Sequence, residues 1–157
     1  MEALGVERVH GRPIRLLSLA RWEWEEPGVR PFALLVVARV MDDEVTRIQI
    51  RRFAAEAIES GCGSVCAWGE GCELVHDLFD EVRTVAGRFV MSTWHEHEPL
   101  SDALYFALTN AFPDDNEFPG SDTSAVVLAV EEPWLAEVRR LVDDQDELAR
   151  LWVAERA

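Results

Sequence analysis

The stretch Ser64-Val65-Cys66-Ala67-Trp68-Gly69-Glu70-Gly71-Cys72 decides how the chain folds. A short apolar run ends in a glycine-flanked turn, and a helical pattern follows at once. Leu74, Val75, Leu78, Phe79, Val82, Val85 and Ala86 recur at close to helical spacing, the clearest amphipathic signal in the chain. Gly87 stops that helix, and Arg88–Trp94 reads as the next strand. Pro99-Leu100-Ser101 then opens another helix, with Leu104, Leu108 and Ala111 on one face. Strand, turn, helix and strand in this order predict a βαβ unit and a parallel sheet.

The same alternation extends in both directions. Phe32–Val40 is a continuous β-prone run, the pattern of a strand covered on both faces. Asp42 or Asp43 can cap the following helix, which runs to about Ser60 with Val45, Ile48, Phe53, Ala57 and Ile58 as its expected inner face. Ser124–Val130 is a fourth buried strand. Glu131-Glu132-Pro133 opens a last helix carrying Trp134, Leu135, Val138, Leu141 and Val142, continued by Leu148, Leu151 and Trp152 after a bend at Asp143–Asp146. Ile14–Ala20 is an edge-strand candidate, and Trp22 and Trp24 alternate with Glu23 and Glu25 as a half-buried edge would. Met1–Arg12 reads as polar and loose. The expectation is a single α/β domain over 1–157, with 13–157 as its ordered core. It should form a three-layer α/β/α sandwich on a mainly parallel sheet of four to five strands.

Composition restricts partners more than it names them. Thirty acidic residues against 15 basic ones give a formal net charge of −15. That balance excludes nucleic acid and anionic membrane surfaces, which need a basic face. It permits a protein with a basic surface or a small molecule. Every base is arginine, which fits a GC-rich bacterial genome. The N-terminus lacks the basic and apolar regions of a secretory signal, and the longest clean apolar run, Phe32–Ala38, is too short to span a bilayer. Three cysteines are an odd count without a signal, so reduced thiols in the cytoplasm are expected.

Ligands of open parallel sheets sit beyond the carboxyl ends of the strands. That rule gathers Asp42 and Asp43, Glu70 and Cys72, His95 to Glu98, and Glu131 on one rim. Three chemistries compete there. Gly69-x-Gly71 sits where a phosphate-cradling turn would, but Leu74 replaces the third glycine and Glu70 puts a carboxylate in the phosphate position; a tight turn with two backbone-required glycines is the simpler account. Cys72 falls in the first turn of its helix, where the dipole favours a thiolate, and His95 from the next strand end, or His76 and Asp80 along the helix, could partner it. A buried, inert Cys72 is the alternative. His95 and His97, with Asp42 or Glu70, offer a metal N/O ligand set, although the spacing matches no known zinc pattern. No cofactor is implied. The preferred reading is a non-enzymatic binding or regulatory domain contacting its partner through Trp68, Trp94, His95, Asp42 and Glu98. The alternative is a hydrolase using Cys72 with His95 and Glu70, or a metal at His95. A homodimer through Trp22 and Trp24 is a third option.

Glu59-Ser60-Gly61-Cys62, Ala67-Trp68-Gly69 with Cys72, Asp80, and Thr93-Trp94-His95-Glu96 with Glu98-Pro99-Leu100 resemble an uncharacterised family of small bacterial α/β domains. The likeness covers the central two-thirds of the chain, more weakly at Phe32–Val40 and Ser124–Val130. Ser92 stands where a second Thr is expected and His97 where Asp is expected, which weakens His97 as a ligand. The resemblance implies an α/β fold and a soluble bacterial origin, and no activity.

Overall fold

The computed structural model describes residues 1–157. Six strands form one sheet: β1 (Glu2–Val6), β2 (Pro13–Ser18), β3 (Phe32–Val37), β4 (Cys62–Trp68), β5 (Met91–His95) and β6 (Ala125–Val130), in the spatial order β1-β2-β6-β3-β4-β5. Five run parallel, and β1 alone pairs antiparallel, with β2. The helices are α1 (Glu44–Glu59), α2 (Cys72–Ala86), α3 (Leu100–Thr109), α4 (Leu135–Asp143) and α5 (Gln145–Glu155). None is long and apolar enough to cross a membrane.

Alternation along the central strands builds two cores, because successive side chains of a strand point to opposite faces. From β3, Phe32, Leu34 and Val36 join Phe53, Ala57 and Phe79 of α1 and α2 in one apolar cluster. Ala33, Leu35 and Val37 join Leu104, Leu108, Val138, Leu141 and Leu148 of α3, α4 and α5 in the other. The α/β/α layering is thus the expected one, on six strands instead of four to five.

The extra strand is β1, in the segment expected to be loose. Its residues are exposed apart from the half-buried Leu4, so no inward stripe marks it in the sequence. It is held by the hairpin to β2, by an ion pair between Glu2 and Arg139, and by Gln145 Nε2 donating to the Val6 carbonyl at 3.0 Å. With β1 added, β2 is no longer at an edge; it runs parallel to β6.

Trp22 and Trp24 correct another expectation. They belong to no strand, since Arg21 and Trp22 take positive φ and turn the chain away from the sheet. Both indoles pack edge-on against Phe53, at 5.5 and 5.3 Å between centroids, and Trp24 Nε1 donates to Ser60 Oγ at 2.9 Å. Trp22 is buried by this packing, and Trp24 is partly exposed. In α1, Val45 and Ile48 are exposed, and the inner face is Ile50, Phe53, Ala54, Ala57 and Ile58. Ile48 precedes Ile50 by two residues, about 200° round the helix, so the two cannot share a face. The cap is Asp43, whose side chain accepts from the Thr46 amide at 2.8 Å.

Arg12 is fully buried and ties the hairpin to the end of α3 and the start of β6. Its guanidinium donates to the carbonyls of Ala107, Leu108 and Ala111 at the end of α3, and to Ser124 O ahead of β6, at 2.7–3.1 Å. A cation at a helix C-terminus also opposes the negative end of the dipole.

Candidate functional site

Because β2, β6, β3, β4 and β5 run parallel, the loops that follow them emerge on one rim, and hydrogen bonds stitch those loops together. Ala38 N donates to Trp68 O at 3.1 Å and Val40 N to Glu70 O at 2.8 Å, joining the loops after β3 and β4. Arg39 N donates to the Glu131 carboxylate at 2.9 Å, and Glu131 N donates to Val37 O at 2.9 Å, joining the loops after β3 and β6. Gly71 N donates to Glu96 Oε1 at 3.2 Å, and Trp68 Nε1 to Glu98 O at 2.8 Å, joining the loops after β4 and β5. Trp68 and His95 are register partners.

Gly69 and Gly71 are required by this stitching. Both take positive φ; a Cβ on Gly69 would stand 2.0 Å from the Ala38 carbonyl oxygen, and one on Gly71 would stand 2.2 Å from that of Val40. The turn is therefore shaped by the close approach of the β3 loop. Its amides are already engaged: Gly71 N by Glu96, and Cys72 N by Gly69 O at 3.1 Å. The anion at the start of α2 is the chain's own Glu96 carboxylate, which stands where a phosphate would have to lie.

Between these loops lies a cleft of about 920 Å³. Trp68 and Trp134 meet edge-on at 5.6 Å within it, and Glu70, Glu96, Glu98 and Glu155 surround them. Arg39 is its one arginine, and its Nε lies 3.1 Å from Glu70. A second hollow of about 680 Å³ adjoins it, sharing Arg39 and Trp134. Another, of about 600 Å³, lies near the start of β3 among Trp24, Glu26, Arg30 and Ser60, away from the rim.

His95 is buried beneath the cleft. Its Nδ1–H donates to Glu98 at 2.9 Å, and the Thr93 hydroxyl lies 2.9 Å from Nε2, the acceptor in that tautomer. The ring packs on Phe106 of α3, at 5.0 Å. His95 thus fixes Glu98, while Glu98 itself faces the cleft.

Cys72 and the His95 imidazole lie on opposite faces of the sheet. Cys72 is in the α1–α2 core, whereas the imidazole meets α3. The thiol is buried, and burial, aided by the nearby Glu96 carboxylate, pushes its pKa up despite the His95 backbone N–H. The expected Cys72–His95 pair does not form. Burial likewise pushes Cys62 up to about 12 and Cys66 to about 11. His76 does lie near Asp80, at 3.6 Å, but it also packs on Trp94 and contacts Asp77.

The metal set does not assemble either: no group of three His, Cys, Asp or Glu side chains could hold an ion. His97 takes positive φ and is exposed at the cleft, 3.8 Å from Glu96, whereas His95 is buried. Of the expected binding residues, Trp68 and Glu98 line the cleft. Asp42 is tied to Arg47 by two bonds of 2.6 and 2.9 Å, outside the lining. Trp94 turns to the α2 side against His76.

A family model described as a domain of unknown function (DUF7684) matches residues 14–145. The chain belongs to this family. The match spans β2 to the start of α5 and takes in all the rim loops, leaving β1 and most of α5 outside it. No curated protein and no solved structure matches the chain.

Arg39, Trp134 and Glu155 contribute to the cleft without being expected as site residues; Arg39 directly follows the buried run Phe32–Ala38 and carries no motif. Trp134 lies four residues beyond the end of β6, so the strand-end rule could have found it; it was read only as part of an apolar stripe. Glu155 arrives from the last turn of α5, and no local signal marks it.

Proposed function

We propose that this family member is a non-catalytic binding domain whose rim cleft takes a cationic side chain from a basic partner protein. The observation that carries this reading is the placement of the Trp68 and Trp134 indoles among four carboxylates whose only arginine is already paired with Glu70. An indole face attracts a guanidinium or ammonium group, and flanking carboxylates accept its N–H donors with charge-assisted bonds. His95 supports the arrangement by holding Glu98 in place. The overall charge of −15 draws basic partners toward the surface and speeds their encounter.

Calorimetric titration with arginine- and lysine-containing peptides, and with an acidic peptide as control, tests the reading. Basic peptides should bind, more weakly as salt rises, and Trp68→Ala and Glu98→Gln should each reduce affinity by about tenfold. Failure of every basic peptide to bind, or binding that is indifferent to both substitutions, would overturn it.

A further inference from the structure

Three of the four carboxylates around the cleft are held by the protein itself: Glu70 by Arg39, Glu96 by Gly71 N, and Glu98 by His95. Glu155 alone is exposed with neither a hydrogen bond nor an ion pair on its side chain. Its place is set by its neighbours on α5. Trp152 and Arg156, four residues apart, share one side of the helix end. Trp152 stacks on Tyr105 of α3, with 4.7 Å between centroids and 21° between planes. The Arg156 guanidinium lies over Trp152, donates to the Trp152 carbonyl at 3.1 Å and reaches Asp102 Oδ2 at 3.4 Å. Asp102 and Tyr105 are themselves three residues apart on α3, so four side chains, two from each helix, close a ring. Asp102 is buried, and Arg156 is the one partner of its carboxylate, since Oδ1 has none. Losing that partner would leave a carboxylate unpaired away from water, which is costly, so the guanidinium is firmly held.

On the reading that the cleft takes a cationic side chain, we infer that Glu155 is the carboxylate that pairs with it, and that Asp102 and Arg156 are positioning residues that fix Glu155 in the cleft wall. An engaged carboxylate shares its lone pairs with its partner. Glu155 offers both oxygens to an incoming guanidinium, the two-pronged geometry that binds this group best. Position and charge predict opposite results for Arg156. By charge alone, removing a cation from beside the cleft tightens the hold on another cation. By position, the same change frees the last turn of α5 and loosens that hold.

Calorimetric titration of the full chain with an arginine-containing peptide separates the two. Glu155→Gln and Arg156→Ala should each weaken binding by about fivefold. Arg156→Ala should add nothing further in the Glu155→Gln background. Asp102→Asn/Arg156→Ala removes both charges and strands neither, so it should fold and still lose the same affinity. Arg156→Lys should recover part of the loss, since an ammonium reaches the carboxylate without the planar stacking on Trp152. Amide exchange over residues 152–155 should quicken in Arg156→Ala. Binding by Arg156→Ala as tight as wild type or tighter, losses that add, or unchanged exchange would each sink the inference. If Trp68→Ala still weakens binding in that case, the cation reading of the cleft stands. A wild-type chain that binds no basic peptide removes both.

Discussion

Gly71 donates its backbone N–H to the Glu96 carboxylate across 3.2 Å, so the start of α2 is closed by a side chain from the far end of β5. This contact satisfies one of the free amides at the start of the helix and puts a negative charge on the positive end of its dipole. It also keeps a carboxylate close to Cys72, where the charge raises the thiol pKa. Glu96→Gln keeps the shape and removes the charge. Stability should fall by about 1 kcal/mol, and the Cys72 thiol should react faster with a maleimide at fixed pH. An unchanged denaturation midpoint together with an unchanged alkylation rate would show that the contact does neither.

Gly69→Ala and Gly71→Ala should each cost more than about 3 kcal/mol, or prevent folding, since the new methyl group meets a carbonyl oxygen at a positive φ. Gly87→Ala is the control. Gly87 has φ +67 too, but nothing lies within 4 Å of its Cβ position, so its cost should stay near about 1 kcal/mol. Urea denaturation of the three variants distinguishes steric collision from left-handed strain alone.

The fold was legible where burial imposes a period. β3, β4 and β6, buried on both faces, read as continuous apolar runs, and α2 read as an amphipathic helix stopped by Gly87. β1 was illegible because a strand exposed on both faces has no stripe to read. The side-by-side emergence of the loops after β4 and β5 followed from parallel topology, and Trp68 pairs with His95 as that requires. The Cys72–His95 pair failed on a finer point. Side chains alternate along β5, so Trp94 faces α2 while His95 faces α3. Strand ends can be placed on a rim from sequence; the face each side chain takes depends on register, which no spacing rule in this chain fixes. Arg12 was missed for a related reason. Its four carbonyl partners lie 95 to 112 residues away.

Arg12→Met should destabilise the protein by at least about 3 kcal/mol. Four buried carbonyls lose their donor at once, and each unsatisfied group costs about 1–3 kcal/mol before relaxation. Arg12→Lys should recover only part of the loss, because an ammonium lacks the planar fork that reaches Ser124 O and Ala111 O together. Equal midpoints for Lys and Arg at this position would show that charge alone matters there.

Cys62 and Cys66 should make the fold sensitive to alkali. Both thiols are buried, and burial first of all raises their pKa from 9.0 to about 12 and about 11. In the unfolded chain they ionise near 9, while the folded chain keeps its protons. Between pH 9 and 11 the unfolded state therefore binds fewer protons, and stability falls as pH rises. The stabilising contribution is complete below pH 9 and is lost through the folded-state values, at about 1.4 kcal/mol per pH unit for each thiol. Denaturation under reducing conditions from pH 8 to 11 should give a steeper decline for the wild-type chain than for Cys62→Ala/Cys66→Ala. Parallel declines would mean that these thiols do not control the alkaline limit.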